Sequence, residues 1–218
     1  MIDLHTHSLF SDGEFIPSEL VRRFEVLGYS AVAITDHADS SMLDLVIPLI
    51  VQAANDLNET QSVKVIPGIE LTHIPPTLIS ACTRKARELG AKLIVVHGES
   101  IAEPVPPGTN RAALDSGVDI LAHPGLIARE DALKAAQNGI FLEISSRKGH
   151  CLTNGHVARL ACEVGAKLLL DSDTHSQEDI MTEVHARGVV EGAGLPPSEY
   201  SALMSNARLL LDRIGYPL

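Results

Sequence analysis

Short runs rich in Val, Ile and Leu recur at residues 2–7, 31–37, 64–71, 92–98, 119–123, 140–145 and 167–173. Their length and β-branched content fit strands buried on both faces, the kind found in parallel sheets. Between them, residues 17–27, 42–57, 76–89, 111–115, 130–138, 153–164 and 177–187 place apolar side chains at helical spacing. A last helix is predicted over 198–214, after Pro196 and Pro197. Gly28, Gly90, Gly139 and Gly165 each follow a helical segment, where a left-handed cap residue is favoured. Strands alternating with helices predict an α/β fold around a parallel sheet, and nothing in the pattern divides residues 1–218 into more than a single domain.

Composition narrows the class without changing the fold. The chain has 218 residues, is 45% hydrophobic and 21% charged, and needs no disulfide staples to build a core. Its formal net charge of −11, with no run of Lys or Arg, disfavours a nucleic-acid partner. Cys82, Cys151 and Cys162 form neither a paired framework nor a Cys-x-x-Cys metal pair, which suits a reducing compartment. The chain starts without a basic-then-apolar leader, and no apolar run approaches the ~18 residues of a membrane span, so the expectation is a cytoplasmic protein with no membrane association.

Ten histidines are present, and their positions matter more than their number. His5 and His7 close the first strand run, His37 the second, Glu70 the third, His97 the fourth, His123 the fifth, and Asp173 with His175 the seventh. In parallel β/α proteins the carboxyl ends of the strands form the functional face. Residues two apart share a strand face, so His5 pairs with His7 and Asp173 with His175. Asp12 follows in Ser11-Asp12-Gly13, where the glycine permits a turn back over the strand end. A lone strand-end histidine is more often structural than a ligand. A whole face of imidazoles and carboxylates, however, needs cations between its members to offset repulsion and desolvation. At about four ligands per ion, these nine side chains suffice for two or three divalent metals, and nitrogen and oxygen donors without thiolate point to Zn, Mn or Fe. The same set argues for closure, because seven strand ends in an open sheet would span roughly 29 Å and keep the outer ligands apart.

His5-Thr6-His7, Ser11-Asp12-Gly13, Thr35-Asp36-His37, Gly68-Ile69-Glu70, His97, His123-Pro124 and Ser172-Asp173-Thr174-His175 together resemble the polymerase and histidinol phosphatase (PHP) family of metal-dependent phosphoesterases. The resemblance runs over residues 1–175 in the family's order. It implies a distorted (β/α)7 barrel, TIM-barrel-like, with a trinuclear metal centre. On that pattern His5, His7, Glu70 and Asp173 would hold one metal, Glu70, His97 and His123 a second, and Asp12, His37 and His175 a third. Some relatives carry histidine where this chain has Asp12, which makes the third position the one in question.

The expected activity is hydrolysis of a small phosphate monoester, as in histidinol phosphatases, through a metal-bridging hydroxide. A non-catalytic metal-stabilised scaffold and a metal-dependent amidohydrolase are the alternatives. Glu143, inside the sixth strand run, is expected to line the site unless its side chain escapes between strands. Arg147, with Lys148 beside it, is a candidate phosphate clamp, and Arg111 a weaker one. His73, three residues past Glu70, is a candidate general acid. Asp3 would either hydrogen-bond a ligand imidazole or cap the barrel bottom, and Asp36 is expected to be structural. His150, His156 and His185 receive no role. The loop 99–108, with Pro104, Pro106 and Pro107, is either an active-site loop or a stiff surface crossing.

Overall fold

A computed structural model describes residues 1–218. Eight strands, all paired in parallel, follow the order β1-β2-β4-β5-β6-β7-β8, with β3 paired to β4 beyond the end of β2. They are β1 (Ile2–Asp3), β2 (Ala31–Ile34), β3 (His37–Ala38), β4 (Lys64–Leu71), β5 (Leu93–His97), β6 (Ile120–Ala122), β7 (Phe141–Ser145) and β8 (Leu168–Asp171). The second predicted strand is therefore split. At Thr35 the chain turns from β4 toward the first strand, its amide donating to the Thr6 carbonyl at 2.8 Å, before β3 rejoins the β4 ladder. Counting β2 and β3 as one stave leaves seven, as the resemblance implies.

The sheet closes on itself. Thr6 bridges Thr174 in parallel, the Asp173 amide donates to the His5 carbonyl at 3.0 Å, and the His7 amide to the Thr174 carbonyl at 2.9 Å. The first and last staves thus meet at the carboxyl end of the barrel.

Helices α1 (Pro17–Val26), α2 (Leu43–Thr60), α3 (Pro76–Glu88), α4 (Thr109–Leu114), α5 (Arg129–Asn138), α6 (Asn154–Val164), α7 (Glu183–Gly192) and α8 (Glu199–Arg213) complete the chain. Alternation along the staves sorts the core into two layers. On β2, Ala31 and Ala33 face the barrel interior, whereas Val32 and Ile34 belong to the larger layer under the helices. Ile66, Leu93, Val95, Ile120, Phe141 and Leu169 fill the interior, and Ala207, Leu210 and Leu211 of α8 join them, closing the barrel's lower end. The predicted helix over 177–187 is not continuous. A 3-10 turn (Gln177–Asp179), closed by reciprocal Ser176 and Asp179 side-chain bonds, is followed by a fresh start at α7, where the Thr182 hydroxyl accepts from the His185 amide. No helix is long and apolar enough to cross a membrane.

Candidate metal centre

The staves that fill the interior with apolar side chains end in polar ones. On β4, Ile66 faces inward and Glu70 shares its face four residues on; on β5, Leu93 and Val95 are succeeded by His97. His37 stands beside Glu70 in the β3–β4 ladder. Closure of the barrel at Thr6 and Thr174 sets His5 and His7 across from Asp173 and His175. His123 follows β6 directly, and both it (φ 28°) and Asp173 (φ 54°) hold the left-handed backbone that non-glycine residues avoid. Asp12 returns over the mouth because the chain approaches itself at Gly13, where a Cβ would lie 2.3 Å from the His7 carbonyl oxygen.

All nine predicted side chains converge. His5 Nε2 lies 3.3 Å from Glu70 Oε1 and 3.8 Å from Asp173 Oδ1, and His7 Nε2 lies 3.1 Å from Asp173 Oδ1. His123 Nε2 is 3.7 Å from both Glu70 Oε1 and Asp173 Oδ2. Asp12 Oδ1 is 3.5 Å from His37 Nε2 and 3.2 Å from His175 Nε2. Potential ligand atoms cluster as His7, Asp12, His37 and His175; as His5, His7 and Glu70; as His5, His123 and Asp173; and as His97, His123 and His150, with all atoms of a cluster within 4.8 Å of one another. A fifth cluster joins His73, His97 and Glu103, and beside the expected groups His7 also adjoins the Asp12 group and His150 adjoins His97 and His123.

Burial opposes charge here, and the mutual charges of the groups decide the outcome. Burial and the neighbouring imidazoles hold His7 and His123 well below the usual histidine value, the neutral form that a cation requires. Burial would raise Glu70, but the charges of His5 and His37 keep it well below the carboxylate range. Burial, helped by the charge of Glu70, pushes Asp173 up to about 7. Several donors are left with nothing to bind: His5 Nε2, both ring nitrogens of His7 and of His123, Glu70 Oε1 and Asp173 Oδ1 are buried without a hydrogen-bond partner. An unsatisfied buried polar group typically costs about 1–3 kcal/mol, so such a concentration needs a compensating ligand.

The remaining candidates separate. Glu143 points inward, two residues past the core Phe141, but sits behind His5 rather than facing the opening; its Oε2 accepts from His5 Nδ1 at 2.6 Å. Asp3 binds neither an imidazole nor the barrel bottom, and instead accepts the His5 and Ser172 amides at 3.3 and 3.2 Å. Asp36 is structural, gathering the hydroxyls of Ser8 and Ser11. Arg147 reaches the mouth, with Nε 3.6 Å from Asp173 Oδ2, whereas Lys148 is exposed and Arg111 pairs with Asp131. His73 stands at the rim, its Nε2 3.1 Å from Glu103.

Two participants escaped the sequence reading. His150, given no role there, is only 4% exposed and stacks on His123 with ring centroids 4.0 Å apart. Burial and the charge of His97 push it down to about 4. Glu103 lies in the proline-rich loop and reaches His97 Nε2 at 3.2 Å and His150 Nε2 at 3.5 Å. A hydrogen bond from His97 holds Glu103 at about 2; burial opposes charge on His97, but Glu103 and Glu70 raise it to about 9. The loop is thus part of the site. Its signal in the sequence was an acid immediately before Pro104, in the loop that follows the strand-end His97.

A family model described as PHP domain matches residues 3–186. The chain belongs to the PHP domain family. This PHP domain is 48% identical over 215 residues to an uncharacterized protein of Methanocaldococcus jannaschii, covering 97% of this chain and 99% of that one. It is 28% identical over 204 residues to ribonuclease P protein component 3 of Methanosarcina barkeri, covering 86% of this chain and 79% of the relative. Among solved structures, histidinol phosphate phosphatase from Lactococcus lactis, complexed with zinc, L-histidinol and phosphate, superposes with a TM-score of 0.62 at 16% identity, over 89% of this chain and 94% of that one. That likeness establishes the TIM-barrel-like fold.

Proposed function

We propose that the protein is a metal-dependent phosphoesterase acting on a small phosphate monoester. The observation that carries this reading is the group of partnerless donors at the barrel mouth, contributed by His5, His7, Glu70, His123 and Asp173. The donor set fits the implied metals: six imidazoles, of which His7 and His123 are held neutral, beside buried carboxylates and without thiolate, match Zn, Mn or Fe. His5, His7, Glu70 and Asp173 would hold one ion, His97 and His123 with Glu70 a second, and Asp12, His37 and His175 a third. Bound there, divalent cations supply Lewis-acid neutralisation of phosphoryl charge.

The chain's own residues do the rest. Glu143 fixes the ring of His5 through Nδ1 and so directs Nε2 into the centre. Arg147, its guanidinium against Asp173 at the opening, is the group placed to take a phosphate oxygen pair. The net charge of −11 repels long polyanions from the outer surface, which favours a small substrate over a polynucleotide. Histidinol phosphate, a nucleotide and a sugar phosphate all satisfy these terms.

The test is to purify the protein, measure bound Zn, Mn and Fe, and assay p-nitrophenyl phosphate, its bis-ester and a panel of phosphorylated metabolites on the same sample. About two to three metals per chain are expected, with monoester turnover that falls at least ~100-fold in His7→Ala. Metal without turnover on any ester would favour a metal-stabilised scaffold, the reading suggested by the ribonuclease P relative.

A further inference from the structure

His150 is built like three of the six ligand histidines. His5, His97 and His175 each anchor Nδ1 on a fixed acceptor, respectively Glu143 Oε2 at 2.6 Å, the Gly98 carbonyl at 3.0 Å and the Asp173 carbonyl at 2.9 Å, and turn Nε2 toward the centre. His150 does the same: Nδ1 lies 2.6 Å from the Ser100 hydroxyl, and Nε2 faces Glu103 and Asp173. Such an anchor sets the tautomer and aim of a metal-bound imidazole. His156, by contrast, spends Nε2 on the Ile127 carbonyl, and His185 is exposed.

Spacing points the same way. Two ligands about 2.0–2.1 Å from one tetrahedral ion stand about 3.3 Å apart. Glu103 turns one oxygen to each imidazole, Oε2 lying 3.2 Å from His97 Nε2 and Oε1 3.5 Å from His150 Nε2. Glu103 also stands on the solvent side: its side chain is 41% exposed, it comes from a loop rather than a stave, and His73 backs its Oε2 at 3.1 Å.

Resting on the metal-centre reading, we propose that the cation position built on His97 and His123 is completed by two residues outside the nine predicted ligands, buried His150 and loop-borne Glu103. The position then carries three imidazoles, with one carboxylate entering from the solvent side. Its ion is held by more nitrogen donors than an ion shared between Glu70, His97 and His123 alone, and Glu103 is the ligand a substrate could displace.

The experiment compares wild type, His150→Ala, Glu103→Gln and Ser100→Ala with His185→Ala as control. Each is loaded with Zn²⁺ or Co²⁺, and metal per chain, dissociation constants against a chromophoric chelator and the visible Co²⁺ spectrum are read beside circular dichroism. The expected result is that His150→Ala loses one ion per chain or weakens one class of site at least about tenfold, that Glu103→Gln and Ser100→Ala weaken the same class less, and that His185→Ala matches wild type. Altered Co²⁺ absorption in Glu103→Gln places that carboxylate on the ion. Should His150→Ala not fold, Glu103→Gln and Ser100→Ala decide. Wild-type stoichiometry, affinity and spectrum in the folded variants would overturn the proposal while leaving the metal centre intact, whereas a wild type that takes up no metal defeats both.

Discussion

At the scale of single residues, eight of the nine predicted ligands were legible because parallel β/α architecture gives every strand's carboxyl end the same destination; Asp12 was read instead from the turn at Gly13. Glu143 shows the kind of detail that alternation alone leaves open. Its inward direction follows from its place two residues after Phe141, but its partner, His5, comes from 138 positions away along the chain. That bond makes Glu143 a positioning residue. Glu143→Ala is expected to weaken the metal dissociation constant about 10–100-fold with secondary structure retained, read by chelator competition and circular dichroism; unchanged affinity would remove the role. His150 was harder to see than the eight strand-end ligands because it lies five residues past the end of β7, beyond a turn at Gly149 (φ 93°), where strand periodicity no longer applies.

Among the elements, strands were easier to place than the loops that cover them. The predicted runs match the staves to within a few residues, apart from the break at Thr35, which arises from a pairing with Thr6 that no local pattern announces. The helix predicted over 177–187 failed for a local reason: Ser176 and Thr182 each offer a helix start, and the chain uses both. The proline-rich loop is held down at its root by Gly125, whose φ is 63° and where a Cβ would fall 1.8 Å from the Glu99 carbonyl oxygen. Gly125→Ala should therefore shift the loop itself. The expected outcome is a loss of more than about 1 kcal/mol in stability, together with faster proteolysis between residues 99 and 108; a variant as stable and as resistant as wild type would show that the loop adapts.

Across the whole molecule, the interior has two unlike ends. Below, α8 seals the barrel with Ala207, Leu210 and Leu211; above, the same interior ends in imidazoles and carboxylates lacking partners. A ligand that binds only the folded state adds about 2.7 kcal/mol when present at 100 times its dissociation constant. For a domain of this size that corresponds to a rise in Tm of about 5–10 °C. Stripping the protein with a chelator should lower Tm by that amount and restoring Zn²⁺ or Mn²⁺ should return it, as followed by differential scanning calorimetry. A Tm indifferent to metal would mean that the polar end of the barrel is stable by itself.

The closure at Thr6 and Thr174 also governs when the centre can come into being. His5 and His7 leave the ribosome first among the donors, and Asp173 and His175 last, so the first donors must wait for the whole of the barrel between them to be made before they meet their partners. Contacts so distant in sequence carry a large loop-closure cost and form late. Until residue 175 has emerged, a nascent chain presents histidines without the carboxylate opposite them, and a cation captured then is held by an incomplete shell. Metal selection is for that reason an act of the finished barrel, made when its first and last staves meet.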